Sequence, residues 1–345
     1  AVSRHVFARR RPESLERLQV VVGSDLLSVL LSFTILGAHV HAAREPRGSG
    51  NKMTTTEGAL VTFGRYLAAT LVLIVTFPLL LPAVLQLPCG KITSYWHGIA
   101  QRTLSVIARI ARVDFQFLSP EDLQVDSELN APLVKVWSSE AKCKGGQKVL
   151  CKTYDQPGRW MGDRDLLELQ LLLKQIAVDS MDCVPTHALF DRQAAREVFS
   201  SRVVTIALCE SKPVAFTAMV YIPYAGSSIL HLGLTMVAKT HRGMRIQSSL
   251  FTKCLAMPMF SMRKLSYYIT NIGASPAGIG AVSDYFLDAY PHYNETNECT
   301  ETHLSIAKYV LCNYRSEFAC SEKAFFNERT FVVHGSNDAV GGGAP

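Results

Sequence analysis

A short basic turn lies between a strand pattern and a helix pattern late in the chain, in the sequence THRGMR from Thr240 to Arg245. Alternating side chains predict a strand over residues 234–239, and the spacing of apolar side chains predicts a helix that begins at Ile246. The amides at the start of a helix favour an anion, and arginine chelates phosphate oxygens well. The net charge of +6 suits a phosphorylated cofactor or an anionic lipid surface, and no nucleic acid is expected as a partner.

Other residue types that carry chemistry form no recognisable motif. The nine cysteines include no CxxC pair and no zinc-finger spacing with histidine, so reduced thiols and no metal site are expected. No G-x-x-x-x-G-K-[ST] phosphate loop is present, and no Ser-His-Asp arrangement with an elbow motif. Cys254, on the helix after the turn, is expected in the core because nothing beside it in sequence would lower its pKa.

The chain from Asp163 onward has the pattern of a compact α/β domain, with Asp163 in position to cap the first helix. Two helices come first, and a hairpin with a turn at residues 211–213 follows them. In order, the predicted elements are helices over 163–178 and 187–199, strands over 203–210, 214–222 and 229–239, the basic turn with its helix, a strand over 264–272 and a helix over 279–289.

This order of elements, together with the turn, resembles the GCN5-related N-acetyltransferase (GNAT) superfamily over about residues 163–291. In that family a strand runs into a turn of the pattern R/Q-x-x-G-x-G/A that opens a helix. The resemblance implies a mixed central sheet flanked by helices, and a turn whose backbone N–H groups hold the pyrophosphate of acyl-CoA. Acetyl-CoA or another acyl-CoA is therefore the implied co-substrate. The implied cofactor-binding residues are Met236, Val237, Arg242, Gly243, Met244, Arg245, Ile246 and Gln247.

Two positions of the turn depart from the family pattern. Arg242 fits the first position, but Arg245 stands where the family usually has glycine, and Gln247 replaces the last small residue. Glycines let the backbone approach the phosphates closely. The Arg245 side chain would either obstruct that approach or add a guanidinium to the phosphate site, and the sequence leaves both interpretations open.

His231 and Tyr285 are the candidate catalytic residues. Direct attack of an amine on a thioester needs a base for the ammonium and often an acid for the leaving thiolate. His231, on the strand before the turn, is the candidate base because imidazole titrates near neutral pH; a packed strand histidine is the alternative. In the family a tyrosine on the helix after the fifth strand often serves as the acid, and Tyr285 lies on that helix, although its spacing from Asn271 is longer than usual. Tyr221 and Tyr224 either line an acceptor groove or pack.

The first part of the chain has a composition that predicts membrane-spanning helices. Residues 1–19 are arginine-rich, and the region 20–92 contains two apolar stretches, at about 20–42 and 66–87. The second stretch carries no charge and is long enough to cross a bilayer, whereas Asp25 interrupts the first. The remaining predicted segments are an amphipathic basic helix followed by a linker or small subdomain over 93–158, the GNAT-like domain over 159–333 and a disordered tail over 334–345.

Together these features predict a membrane-anchored, acyl-CoA-dependent N-acyltransferase, with N-acetyl transfer as the leading case. Its partners would be the lipid bilayer and an amine on a small molecule, a protein or a lipid, and the positive-inside tendency places the domain in the cytosol. The alternative is a GNAT-like domain without catalysis that serves as a structural or interaction module in a membrane assembly. A likeness of residues 66–123 to glycerolipid acyltransferases is set aside because no H-x-x-x-x-D motif follows.

Overall fold

The computed structural model describes residues 16–24, 105–106, 114–117, 134–225, 227–260, 267–273, 298–318 and 320–335, together with residues 280, 282–283, 286 and 288–292. The chain divides into two compact units, one of residues 23–269 and the other of residues 1–22 and 270–345. This boundary falls inside the segment 159–333, which the sequence suggested to be one domain.

Most of the predicted membrane region lies outside the described residues, including all of the second predicted span. Within the first predicted span, residues 20–24 belong to strand β1 (Glu16–Ser24). The prediction that a membrane helix begins at about residue 20 is therefore wrong for these residues. The last residues of the predicted amphipathic helix also form a strand, β2 (Asp114–Phe117). Among the helices that the structure describes, none is both long enough and apolar enough to cross a bilayer.

The larger unit contains a mostly antiparallel sheet. Each strand from β2 to β7 pairs with the next along the sheet, and β8 pairs with β6. After β2 come β3 (Val134–Lys142), β4 (Lys148–Asp155), β5 (Arg202–Cys209), β6 (Lys212–Tyr224), β7 (Ser227–Leu232) and β8 (Thr235–Val237).

Helices cover both faces of this sheet, so the predicted α/β class is confirmed. On one face, α1 (Asp163–Met181) and α2 (Ala195–Ser200) pack with Phe216 in a buried apolar cluster. On the other face, α3 (Ile246–Phe260) packs with Ala215 in a second cluster. Ala215 and Phe216 are neighbours in β6, and successive strand residues point to opposite faces.

The segment predicted to be a linker or a small subdomain contains two long strands of the main sheet, so the linker prediction is wrong for residues 134–155. The β3–β4 hairpin lies inside the sheet, between β2 and β5. In β4, the buried Val149, Cys151, Thr153 and Asp155 alternate with more exposed residues. Polar residue types at buried positions concealed this alternation, because a buried threonine or aspartate does not look like a core residue in sequence.

The predicted helices of the α1–α2 region are partly corrected. Helix α1 begins at Asp163, but its N-cap is Gly162 and no side chain caps it. The Asp163 carboxylate instead accepts a hydrogen bond from Arg196 of α2. The predicted helix over 187–199 is a single 3-10 turn (Ala188–Phe190) followed by α2.

The strands begin and end close to where the sequence placed them, with two differences. The hairpin between β5 and β6 turns at Glu210 and Ser211, where φ is 50° and 68°, one position earlier than predicted. The long strand predicted over 229–239 is divided into β7 and β8. Helix α3 begins at Ile246, which confirms the predicted start.

The smaller unit is described by itself. Its helix α4 (Glu301–Asn313) begins with a capping box between Thr300 and His303. The strand β9 (Tyr267–Gly273) crosses the boundary between the units, and β10 (Ala289–Tyr290) shows that the helix predicted over 279–289 does not reach residue 289. The last strands are β11 (Phe325–Asn327) and β12 (Val332–His334), which pair with each other. Beyond Gly335, the predicted tail lies outside the described residues.

Candidate functional site

The basic turn joins β8 to α3, and its backbone is left-handed at two positions. The φ angle is 75° at Gly243 and 60° at Arg245, which immediately precedes the first residue of α3. This conformation is costly for a residue with a Cβ atom, and glycine adopts it most readily. Arg245 therefore has the backbone conformation that suits the glycine found at this place in the family pattern.

Two cations attach the turn to the end of α1. Arg242 Nη2 donates a hydrogen bond to the carbonyl oxygen of Ser180, at 2.7 Å, and Lys239 forms an ion pair with Asp182. The carbonyl end of a helix carries partial negative charge, so a guanidinium stabilises it. Arg242 was predicted to bind cofactor, but its side chain is engaged in holding the turn.

A third contact attaches the turn to the tip of the β3–β4 hairpin. The backbone N–H of Lys144 donates to the carbonyl oxygen of Met244, at 2.9 Å. The side chains of Met244 and Ile246, both predicted to bind cofactor, pack in the buried cluster beneath α3 with Cys143 of the hairpin. These two residues position the turn, whereas the side chain of Arg245 is exposed.

The division between β7 and β8 occurs at Gly233. A Cβ atom at Gly233 would lie 2.4 Å from the carbonyl oxygen of Ala218 in β6. Among the described residues, β8 pairs with β6 and with no second strand. Its other edge therefore offers backbone N–H and C=O groups to an extended ligand that carries amides. On β8, Met236 is buried in the α1 cluster and Val237 packs against the α3 cluster.

His231, the candidate base, lies inside the unit on the α1 side of the sheet. It is opposite Val220 of β6, which is itself opposite Arg202 of β5. Its side chain is 2% exposed, and burial, followed by the charge of Arg202, lowers the pKa of His231 to about 3. The same two causes lower the pKa of His187 to about 4. This burial favours the interpretation of His231 as a packed strand residue over its interpretation as a general base.

The other candidates of the sequence have these locations. Tyr285 lies outside the described residues, so its role as acid stays a prediction. Tyr221 donates a hydrogen bond to Asp155, at 3.0 Å, and the ring of Tyr224 packs edge-on against Tyr268. Cys254 is in the core, as predicted.

Cys254 is also unsuited to act as a nucleophile. Its side chain is fully buried, and its Sγ lies 3.0 Å from the hydroxyl of Thr205. Burial raises the pKa of the Cys254 thiol to about 12, which keeps it protonated at neutral pH. An acyl-enzyme intermediate on this thiol is therefore not expected.

Helix α3 carries a buried lysine that the sequence did not predict. Lys253 Nζ donates to the hydroxyl of Ser139 and lies 4.8 Å from the ring centroid of Trp137. Burial lowers the pKa of Lys253. The sequence gives no signal of this burial, because lysine is a residue type that is rarely buried. Among the described residues, no group of three or more His, Cys, Asp or Glu could hold a metal ion.

Comparison with solved structures gives acetyltransferases at low similarity. An aminoglycoside acetyltransferase from an uncultured soil metagenomic sample is 15% identical, with a TM-score of 0.29, over 36% of this chain and 84% of its own. A possible acetyltransferase from Clostridium difficile 630 is 13% identical, with a TM-score of 0.26, over 48% and 92%. Another soil metagenomic aminoglycoside acetyltransferase, in complex with sisomicin, is 13% identical, with a TM-score of 0.26, over 52% and 93%.

No protein-family model matches the chain, and no curated protein matches it. TM-scores as low as those above carry no argument about activity. The features of this chain that bear on function are the turn, the strand before it and the helix after it.

We expect Gly233→Ala to destabilise the larger unit by about 2–4 kcal/mol, because the added methyl group would collide with backbone that cannot rotate away. Urea unfolding would measure the change. Gly162→Ala is the matched control, since its Cβ atom would meet only the Asp165 carboxylate at 3.8 Å. Equal unfolding midpoints for the two variants would contradict the close approach of Gly233 to β6.

We expect Arg245→Gly to raise the free energy of unfolding by about 0.5–1 kcal/mol, because it relieves the left-handed backbone at a residue with a side chain. Arg245→Ala removes the same charge but keeps the Cβ atom, so it should give no such gain. A similar gain in both variants would assign the effect to charge instead of backbone.

We expect the protein to lose stability as the pH falls from 7.5 to 5.5. The pKa values of His187 and His231 are lower in the folded state than the ordinary 6.5, so the unfolded chain binds more protons in this range. Each histidine should contribute a loss of about 1.4 kcal/mol over these two pH units. Urea unfolding of wild type and His231→Gln at both pH values checks this. An equal loss in the variant would exclude His231 as a source.

Proposed function

We propose that this chain is an acyl-CoA-dependent N-acyltransferase of GNAT type, with N-acetyl transfer as the leading case. One observation carries the proposal. The turn before α3 has left-handed backbone at Gly243 and Arg245, and it follows a strand with one edge that is unpaired among the described residues. This combination provides an anion site and an amide-pairing site side by side.

The cofactor would bind along β8 and end at α3. Its pantetheine arm is extended and carries two amides, so it can pair with the open backbone edge at Thr235 and Val237, since the residues that alternate with them bond to β6. Its pyrophosphate would lie at the start of α3, where the backbone N–H groups of the first turn have no partner within the helix. The exposed positions Gly243 and Arg245 leave this approach open from solvent.

The reaction would be a direct transfer. The amine nitrogen attacks the thioester carbonyl carbon, the C–S bond breaks, and an amide and the CoA thiol result. A base takes one proton from the ammonium, and the leaving thiolate gains one proton. The burial of His231 argues against it as this base, and Tyr285 remains the predicted acid on sequence grounds.

Membrane anchoring remains part of the proposal on sequence grounds. The uncharged stretch 66–87 is its main support, and the basic residues 1–19 support a cytosolic location for the domain. An anchored enzyme would meet a membrane-associated amine most readily, whether on a lipid, a protein or a small molecule.

A second candidate is a GNAT-like module without catalysis that serves in a membrane assembly. The burial of His231 favours it, because the candidate base is 2% exposed. Arg245 in place of glycine favours it as well, if the side chain obstructs the phosphate site. Binding of acyl-CoA separates the two candidates.

Calorimetric titration of the whole chain with acetyl-CoA tests the proposal. The whole chain is needed because β3 and β4 precede the segment that resembles the family and pair within its sheet. Gly243→Asp should weaken binding by at least about tenfold, because it places a negative charge beside the phosphates.

Gly243→Asn is the matched control. Asparagine has the same shape as aspartate and tolerates left-handed backbone, but it carries no charge. Binding that is lost in the aspartate variant and largely kept in the asparagine variant would support the site. Absence of acetyl-CoA binding by folded wild-type protein would contradict the acyltransferase proposal and favour the module.

A further inference from the structure

Four cations lie on or beside the basic turn, and they differ in whether other groups already engage them. Lys239 is paired with Asp182, and Arg242 is bonded to the end of α1. Arg245 and Lys144 are exposed, and neither side chain has a hydrogen-bond or ion-pair partner among the described residues. Of these four cations, Arg245 and Lys144 are therefore the two whose side chains no described residue engages.

Lys144 comes from a different segment, but its backbone is fixed beside the turn. Its N–H donates to the carbonyl oxygen of Met244, the neighbour of Arg245. The adjacent Gly145 and Gly146 have φ angles of 88° and 87°, and a Cβ atom on either would meet nothing within 4 Å. The hairpin tip is thus an open surface next to the start of α3.

The nearby lysine on the other side of the hairpin tip is not available in the same way. Lys148 forms an ion pair with Glu140, at 3.0 Å. Lys148 and Lys144 thus differ in their partners although they lie four residues apart on one hairpin. This difference supplies a control for charge alone.

Acyl-CoA carries two kinds of phosphate. The two groups of its pyrophosphate each carry about one negative charge, whereas the 3′-phosphate is a monoester and carries about 1.5 to 2. Amide N–H groups at a helix start suit the first kind. A monoester of higher charge is best bound by cations that donate charge-assisted hydrogen bonds.

We propose that Lys144 and Arg245 together bind the 3′-phosphate of acyl-CoA, so that the chain selects 3′-phosphorylated CoA over dephospho-CoA. This inference rests on the proposed function, because it concerns the same cofactor. It assigns the β3–β4 hairpin a role in recognition, and it gives Arg245 a contribution to binding in place of obstruction.

Calorimetric titration of the full chain with CoA and with dephospho-CoA, in the same buffer and salt, tests the proposal. Wild-type protein should bind CoA about tenfold more tightly than dephospho-CoA, as expected for loss of a charge-assisted contact. Lys144→Gln should weaken CoA binding and reduce this ratio to about threefold or less, with little change for dephospho-CoA. Lys148→Gln should keep the wild-type ratio.

The fold should survive Lys144→Gln, because the contact with Met244 uses backbone atoms, and circular dichroism would verify this. If wild type binds both ligands equally, or if Lys144→Gln keeps the ratio, the 3′-phosphate site is wrong while the acyl-CoA proposal stands. If Lys144→Gln weakens both ligands alike, the residue acts on the shared part of the cofactor, which also overturns the inference. If folded wild type binds neither ligand, the proposed function fails, and the inference with it.

Discussion

The position of the basic turn depends on the close approach of Gly233 to β6, at the point where β7 ends and β8 begins. The long strand β6 pairs with β7 near its end and with β8 near its start, so both segments are held against one continuous backbone. Only glycine fits where the chain passes the carbonyl oxygen of Ala218. Because β6 pairs with β7 before this point and with β8 after it, the end of β8, and therefore the start of α3, has a fixed position beside the sheet.

Helix α3 is then held by polar as well as apolar contacts. Beneath it the Thr153 hydroxyl lies 2.9 Å from the Thr205 hydroxyl, which in turn lies near the Cys254 thiol. Lys253 makes its own contact with Ser139 farther along the sheet. Buried hydrogen bonds of this kind are satisfied in only one register of helix on sheet, because a shift would leave several polar groups without partners. These contacts therefore fix the position of α3 along the direction of the strands, and the apolar cluster fixes its distance from the sheet.

The sequence predicted the parts of this arrangement that depend on local pattern. The start of α3 at Ile246, the two strands of the β5–β6 hairpin and the class of the fold follow from periodicity and turn residues. The β3–β4 hairpin was missed because Ser139, Thr153 and Asp155 are polar yet buried, and only tertiary contacts satisfy them. The burial of His231 and the engagement of Arg242 with α1 also depend on residues far away in sequence, so no local pattern could reveal them.

The pairing of β4 with β5 bears on where the folded unit begins. Seven of the eight residues of β5 are buried, and β4 supplies the strand partner for residues 203–208 on one edge. A polypeptide that began after Asp155 would present that edge as a row of open hydrogen-bonding groups along an apolar strand. Such an edge is a template for pairing with other chains, so the shortened protein would tend to aggregate. By pairing with β5, the β3–β4 hairpin protects this edge from pairing with other chains.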